Sequence, residues 1–178
     1  MSKDMDVVAW NHGYAGANGI RFHHVRHGTG TPLVLLHGWP EFWYVYRKNI
    51  PVLAERFNTI VPDLRGFGDT EKPGLPDPPS TLLEVLVEDL ASFMDALGID
   101  EARTTIWRHG APELPKIDVP TRYLWGEEDP LVKIEWAERL GEYFSGYSFS
   151  AAPGAGHFVH CEIPEAANCE IIAFFSER

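Results

Sequence analysis

The stretch Leu33-Val34-Leu35-Leu36-His37-Gly38-Trp39-Pro40 decides the fold. Four consecutive apolar residues leave no polar face, so the segment reads as a strand covered on both sides, as in the middle of a parallel sheet. Gly38 and Pro40 stop it, and a loop leaves its carboxyl end directly. Upstream, Gly28-Thr29-Gly30-Thr31-Pro32 is a turn. Before it, Ile20-Arg21-Phe22-His23-His24-Val25-Arg26-His27 alternates apolar and polar residues, which predicts a half-solvated antiparallel strand with His23, His24 and His27 on its polar face. Downstream, residues 42–56 read as a helix interrupted at Pro51, with Trp43 and Tyr44 as core residues. Thr59-Ile60-Val61-Pro62 is the next strand, and it runs into the turn-rich stretch Asp63-Leu64-Arg65-Gly66-Phe67-Gly68-Asp69.

A proline-rich loop over 72–79 precedes the most regular helical pattern in the chain. Thr81 and Glu84 have capping-box spacing. Leu83, Leu86, Leu90, Phe93 and Leu97 follow at three- and four-residue steps, and Gly98 is a C-terminal cap. Tyr123-Leu124-Trp125 predicts a strand, 133–144 a helix and 147–151 a strand. A last helix starts at Pro164, a favoured first-turn residue, and carries Ala167, Ile171, Phe174 and Phe175. Strands alternating with helices predict an α/β layer fold with a mostly parallel sheet. Its active site belongs at the carboxyl ends of the strands. Three loops sit there, each directly after a strand: His37-Gly38-Trp39-Pro40, Gly126-Glu127-Glu128-Asp129 and Gly154-Ala155-Gly156-His157.

Composition narrows the partners. The 178 residues predict a single domain over 1–178, and 44% apolar with 23% charged residues is the balance of a soluble globular protein. A net charge of −11 argues against nucleic acid and anionic membrane surfaces, both of which call for clustered Lys and Arg. No run has the length of a membrane span. Met1-Ser2-Lys3-Asp4-Met5-Asp6 has no apolar signal core behind it, so a cytoplasmic location is expected. Cys161 and Cys169 are read as two reduced, partly buried thiols.

Residues 14–101 resemble the N-terminal half of bacterial epoxide hydrolases of the α/β-hydrolase superfamily. The resemblance rests on His37-Gly38-Trp39-Pro40-Glu41-Phe42-Trp43, Arg47 and Pro62-Asp63-Leu64-Arg65-Gly66-Phe67-Gly68-Asp69. Residues 116–178 resemble the family's C-terminal end. Haloalkane and fluoroacetate dehalogenases share much of the pattern. Trp39 stands where haloalkane dehalogenases tend to carry a halide-binding Asn, which favours the epoxide hydrolases. The resemblance implies a three-layer α/β-hydrolase-like fold with a mostly parallel sheet.

Between its two halves the family has a strand, a nucleophile elbow, further elements and a helical cap. This sequence contains no Gly-x-Ser-x-Gly elbow and no Asp equivalent. The fold is therefore expected in a truncated form, without the central nucleophile strand and cap, and with a deletion seam near 101–115. The stretch from Arg103 to Gly110 reads as neither strand nor helix. A sheet that has lost its middle must find new pairing, dimerise, or leave an edge open.

In the resembled mechanism a carboxylate attacks an epoxide carbon, and a His–Asp pair then activates water to hydrolyse the resulting ester. His157 matches the water-activating base and Asp129 the acid that orients it. His37, Gly38, Trp39 and Pro40 match the oxyanion loop, with the Trp39 N–H as donor. No nucleophile is found, and no cofactor or metal is implied. His160 lies three residues from His157, which is too little for a metal site, and is expected to be structural. Glu127 and Glu128 read as solvated charges.

Three functions compete. The first is hydrolysis of a small apolar epoxide to a diol. The second is a catalytically inactive module that binds or self-associates, with a homodimer as its simplest form. The third is weak hydrolysis by His157 and Asp129 acting on water alone. A dehalogenase-like hydrolase is a further alternative.

Overall fold

The computed structural model describes residues 9–78, 81–105 and 116–176. The chain separates into two compact units, Met1–Trp107 and Arg108–Arg178, and the boundary falls inside the 101–115 stretch.

The first unit is built on a five-stranded sheet of order β1-β2-β4-β3-β5. Its strands are β1 (His12–Ala17), β2 (Ile20–His27), β3 (Pro32–Leu35), β4 (Asn58–Pro62) and β5 (Arg103–Thr105). β1, β2 and β4 pair antiparallel, whereas β4, β3 and β5 run parallel. The apolar run at 33–36 forms β3, and Leu33, Val34 and Leu35 are fully buried. β3 lies between β4 and β5, the place that a strand without a polar face requires.

β2 departs from its expected half-solvated character. Phe22, His23, His24 and Val25 are all buried. The alternation in the sequence comes from histidines whose ring polarity is absorbed inside the protein: His23 reaches Asp63, and the His24 ring lies against Phe93. Of the supposed polar face only His27 stays half-exposed.

Residues 42–56 do not form one helix. A 3-10 turn at Trp43–Tyr46 and a short helix α1 (Ile50–Leu53) share the segment. Pro51 opens α1 instead of interrupting it, because its missing N–H costs nothing in a first turn. Trp43 is buried as expected, but Tyr44 is exposed.

The long helix is α2 (Leu82–Ala96), which ends as the sequence predicts. Gly98 takes φ +67°, its N–H donates to the Asp95 carbonyl, and the Ile99 N–H reaches back to Met94. This is a Schellman closure. The start differs. Thr81 has φ −87° and ψ 6°, not the extended backbone of a capping residue, and its hydroxyl donates backward to the Pro78 carbonyl. The capping box with Glu84 therefore does not form. Phe93 is buried in the core with Phe22, Val34, Ile60 and Ile99, and Leu90, Met94 and Leu97 pack beside it. Leu83, on the predicted apolar face, is exposed.

The seam holds a strand that the sequence reading missed. Leu33, Val34 and Leu35 pair in register with Arg103, Thr104 and Thr105, where two β-branched residues suit extended backbone. Residues 106–115, the rest of the seam, lie outside the described residues.

The second unit has a two-stranded parallel sheet, β6 (Thr121–Gly126) and β7 (Tyr147–Ala152). The predicted helix at 133–144 is split into a 3-10 segment, Ile134–Arg139, and a single helical turn, α3 (Leu140–Tyr143). A further turn, α4 (Val159–Glu162), precedes α5 (Pro164–Ser176), which starts at Pro164 as expected. Cys161 is half-buried, whereas Cys169 is exposed, and neither forms a disulfide. Among the described residues no helix is long and apolar enough to cross a membrane.

Candidate active site

In the first unit, β3 delivers its chain into the loop at His37. The His37 side chain is buried, and its two ring nitrogens have different partners. The Leu64 N–H donates to Nε2 at 2.9 Å, and Nδ1 lies 2.8 Å from the Gly38 carbonyl. A peptide N–H can only donate and a carbonyl can only accept, so Nδ1 carries the proton and the ring is neutral. Burial lowers its pKa, against the opposing influence of the Gly38 carbonyl and Asp63.

Glu41 closes the same loop from the other side. Its N–H donates to the Gly38 carbonyl at 3.0 Å, and its carboxylate lies 3.3 Å from the Gly38 N–H. Trp39 is 80% exposed, and its backbone N–H has no partner among the described residues. Pro40 has no N–H to offer.

Beneath the loop lies Asp63, at the carboxyl end of β4 and fully buried. It accepts the Trp43 N–H at 2.7 Å and the Asp69 N–H at 2.9 Å, and it pairs with His23 Nδ1 at 2.8 Å. His23 Nε2 continues to His12 at 2.8 Å. With these partners in place, Asp63 organises turns, as the family resemblance implies. Gly68 has to be glycine here, because a Cβ would collide with the Asp63 carboxylate and φ is +48°. Consecutive residues at the end of β4 thus hold both ends of the 37–43 loop, Leu64 through His37 and Asp63 through Trp43.

In the second unit, His157 and Asp129 come together as predicted. His157 Nδ1 lies 2.9 Å from Asp129 Oδ2. The other carboxylate oxygen, Oδ1, accepts the Leu131 and Val132 N–H groups at 2.8 and 2.9 Å. Burial pushes the Asp129 pKa up, but the hydrogen bonds from Val132, His157 and Leu131 outweigh it, so the group sits below its ordinary value. An ionised Asp129 can only accept, which places the His157 proton on Nδ1 and the basic lone pair on Nε2. The His157 side chain keeps 18% of its surface open against 2% for Asp129.

Two contacts that the sequence reading missed shape this geometry. The Glu162 carboxylate takes the Gly156 N–H at 2.6 Å and the Phe158 N–H at 2.9 Å, and so grips the backbone on both sides of His157. Its signal was available: an acid five residues after a loop histidine, in the first turn of a helix. Gly126 lets the end of β6 touch the histidine loop, because a Cβ there would collide with the Gly156 carbonyl. Glu127 and Glu128 are exposed, as expected. His160 is half-buried and its pKa falls to about 4, chiefly through desolvation, which fits a structural side chain.

Comparison with known proteins bears on the fold and on the first half of the chain. The α/β-hydrolase fold family matches residues 31–104. The soluble epoxide hydrolase of Corynebacterium sp. (strain C12) is 61% identical over 62 residues, which make up 35% of this chain and 22% of that protein. The chain spans 17% to 28% of the length of the curated relatives it matches. Among solved structures, a serine hydrolase involved in carbazole degradation superposes with a TM-score of 0.84 at 18% identity, covering 96% of this chain and 100% of that one. A point mutant of an epoxide hydrolase from Bacillus megaterium, in complex with its diol product, gives a TM-score of 0.81 at 18% identity, covering 92% and 100%. At these identities the structural likeness establishes the fold.

Proposed function

We propose that this chain, which has the α/β-hydrolase fold and is epoxide-hydrolase-like over its first half, carries two parts of an epoxide-hydrolase-type catalytic apparatus but lacks the nucleophile. The observation that carries this reading is the 2.9 Å His157–Asp129 pair, with the imidazole proton fixed on Nδ1. His157 Nε2 is the base that takes a proton from water, and Asp129 orients the ring and stabilises the imidazolium. The Trp39 N–H is an oxyanion donor. The expected substrate is a small apolar epoxide, which water opens to a diol. The water oxygen bonds to a ring carbon, the carbon–oxygen ring bond breaks, and the released oxygen takes a proton from solvent, while His157 gives back to solvent the one it removed from the water. Without a carboxylate nucleophile the chain is a poor catalyst, limited to general-base assistance of about 10²–10⁴-fold.

The test is diol formation from an aryl epoxide. Slow turnover that His157→Ala and Asp129→Asn each lower toward the uncatalysed rate supports the reading. Turnover unchanged in both variants overturns it.

A second reading, self-association without catalysis, is favoured by one observation. Among the described residues, β5 pairs with β3 on one side only. An open edge of this kind is a template for another chain. Sedimentation across a concentration series tests it, with a concentration-dependent dimer in favour and a monomer throughout against.

A further inference from the structure

We infer that His37 is a positioning residue that aims the Trp39 N–H, acting through the shared peptide plane of Gly38 and Trp39. This deepens the reading of the Trp39 N–H as an oxyanion donor and rests on it. A trans peptide is planar, and its C=O and N–H point in opposite directions. Whatever fixes the Gly38 carbonyl therefore also fixes the Trp39 N–H. Two donors hold that carbonyl: His37 Nδ1 at 2.8 Å and the Glu41 N–H at 3.0 Å. With the carbonyl drawn onto these groups, the Trp39 N–H is directed the opposite way, and it has no partner among the described residues.

His37 can do this because its own orientation is set from elsewhere. The Leu64 N–H, at the end of β4, donates to Nε2 and permits only the tautomer with the proton on Nδ1. Leu64 N–H, imidazole and Gly38 carbonyl form one directional chain, in which each bond polarises the next and strengthens the final donor. A protonated ring would set Nε2–H against the Leu64 N–H and break the chain at its first link. Burial keeps the ring neutral, in line with its lowered pKa.

Substitution can separate the two ends of the ring. Asn places an amide N–H near the position of Nδ1 and keeps the grip on the Gly38 carbonyl. Gln places an acceptor near Nε2 and keeps only the Leu64 contact. Phe keeps the ring shape and neither bond.

The experiment is heteronuclear NMR on the whole chain, which needs no turnover, so failure of the hydrolase reading and failure of this inference are distinguishable. In the unmodified protein the His37 ring nitrogens are expected to show a protonated Nδ1 and an unprotonated Nε2. The Trp39 N–H is expected to be rigid, with an order parameter of about 0.85, in both the unmodified protein and His37→Asn. In His37→Gln and His37→Phe it is expected to fall below about 0.6, with a changed residual dipolar coupling. The opposite tautomer in the unmodified protein overturns the inference even if no variant folds. So does a Trp39 N–H that keeps its order parameter and coupling in a folded His37→Phe variant, whatever the loss of melting temperature.

Discussion

At the residue scale, imidazole does several jobs here, and its partners decide which. His157 keeps an ionised acid on Nδ1 and part of its surface open. His37 has a donor on one side and an acceptor on the other, which makes it a strut. His24 lies against Phe93 with its pKa lowered to about 4, first by burial and then by His23 and Arg26 beside it.

The three look alike in sequence, because a ring's role depends on the groups that fold around it. His157 was legible through its glycine-rich loop and Asp129. The burial of His23 and His24 was not, since an alternating pattern is the same for a solvated face and for a face closed by Asp63 and Phe93.

His24 yields a pH prediction. The unfolded chain takes up this proton near pH 6.5 and the folded one only near 4. The unfolded state therefore binds more protons in that window, and stability rises with pH there. The contribution of His24 is complete above pH 6.5 and declines as pH falls toward 4, by about 3 kcal/mol in all. Urea melts at a series of pH values check this. His24→Phe is expected to give a stability profile flatter by about that amount.

At the element scale, α2 shows which terminal signals are dependable. A glycine in the left-handed region acts through its own backbone, so Gly98 was readable from sequence. A capping threonine must also turn its hydroxyl the right way, and Thr81 turns toward Pro78. Thr81→Ala is therefore expected to cost less than about 0.5 kcal/mol, short of the roughly 1 kcal/mol typical of a true N-cap. Gly98→Ala is expected to cost about 1–2 kcal/mol, because alanine must adopt φ near +67°. Chemical denaturation of the two variants side by side checks the contrast.

The inner face of α2 also holds a residue that apolar periodicity does not reveal. Asp89 is buried, gripped by Arg65 Nε and Nη2 at 2.6 Å each and by the Asn18 amide at 2.7 Å. This network ties the β1–β2 turn and the turn after β4 to the helix. Arg65→Ala leaves the buried carboxylate without its cation and is expected to destabilise the first unit by about 3–5 kcal/mol, measured by the same denaturation.

At the scale of the whole molecule, each of the two units carries one of the features that the proposed function needs, the His37–Pro40 loop in the first and the His157–Asp129 pair in the second. The covered β3 and the positions of the three loops were legible, because burial and loop punctuation leave direct marks in sequence. β5 was not, since three residues with a charged Arg103 form a strand only by pairing with β3. The missing elbow is a fact of the sequence, and it separates a fold that hosts hydrolysis from a chain able to complete the covalent half of the reaction.

The most direct test is a search for that covalent half. The His157→Ala variant, which cannot release an ester by the family's route, is incubated with an aryl epoxide and mapped by peptide mass spectrometry. Thioether formation at the exposed Cys169 does not bear on the question. The account predicts no ester on any Asp or Glu carboxylate. An ester that accumulates on one carboxylate of the variant, and is hydrolysed in the unmodified chain, would contradict it.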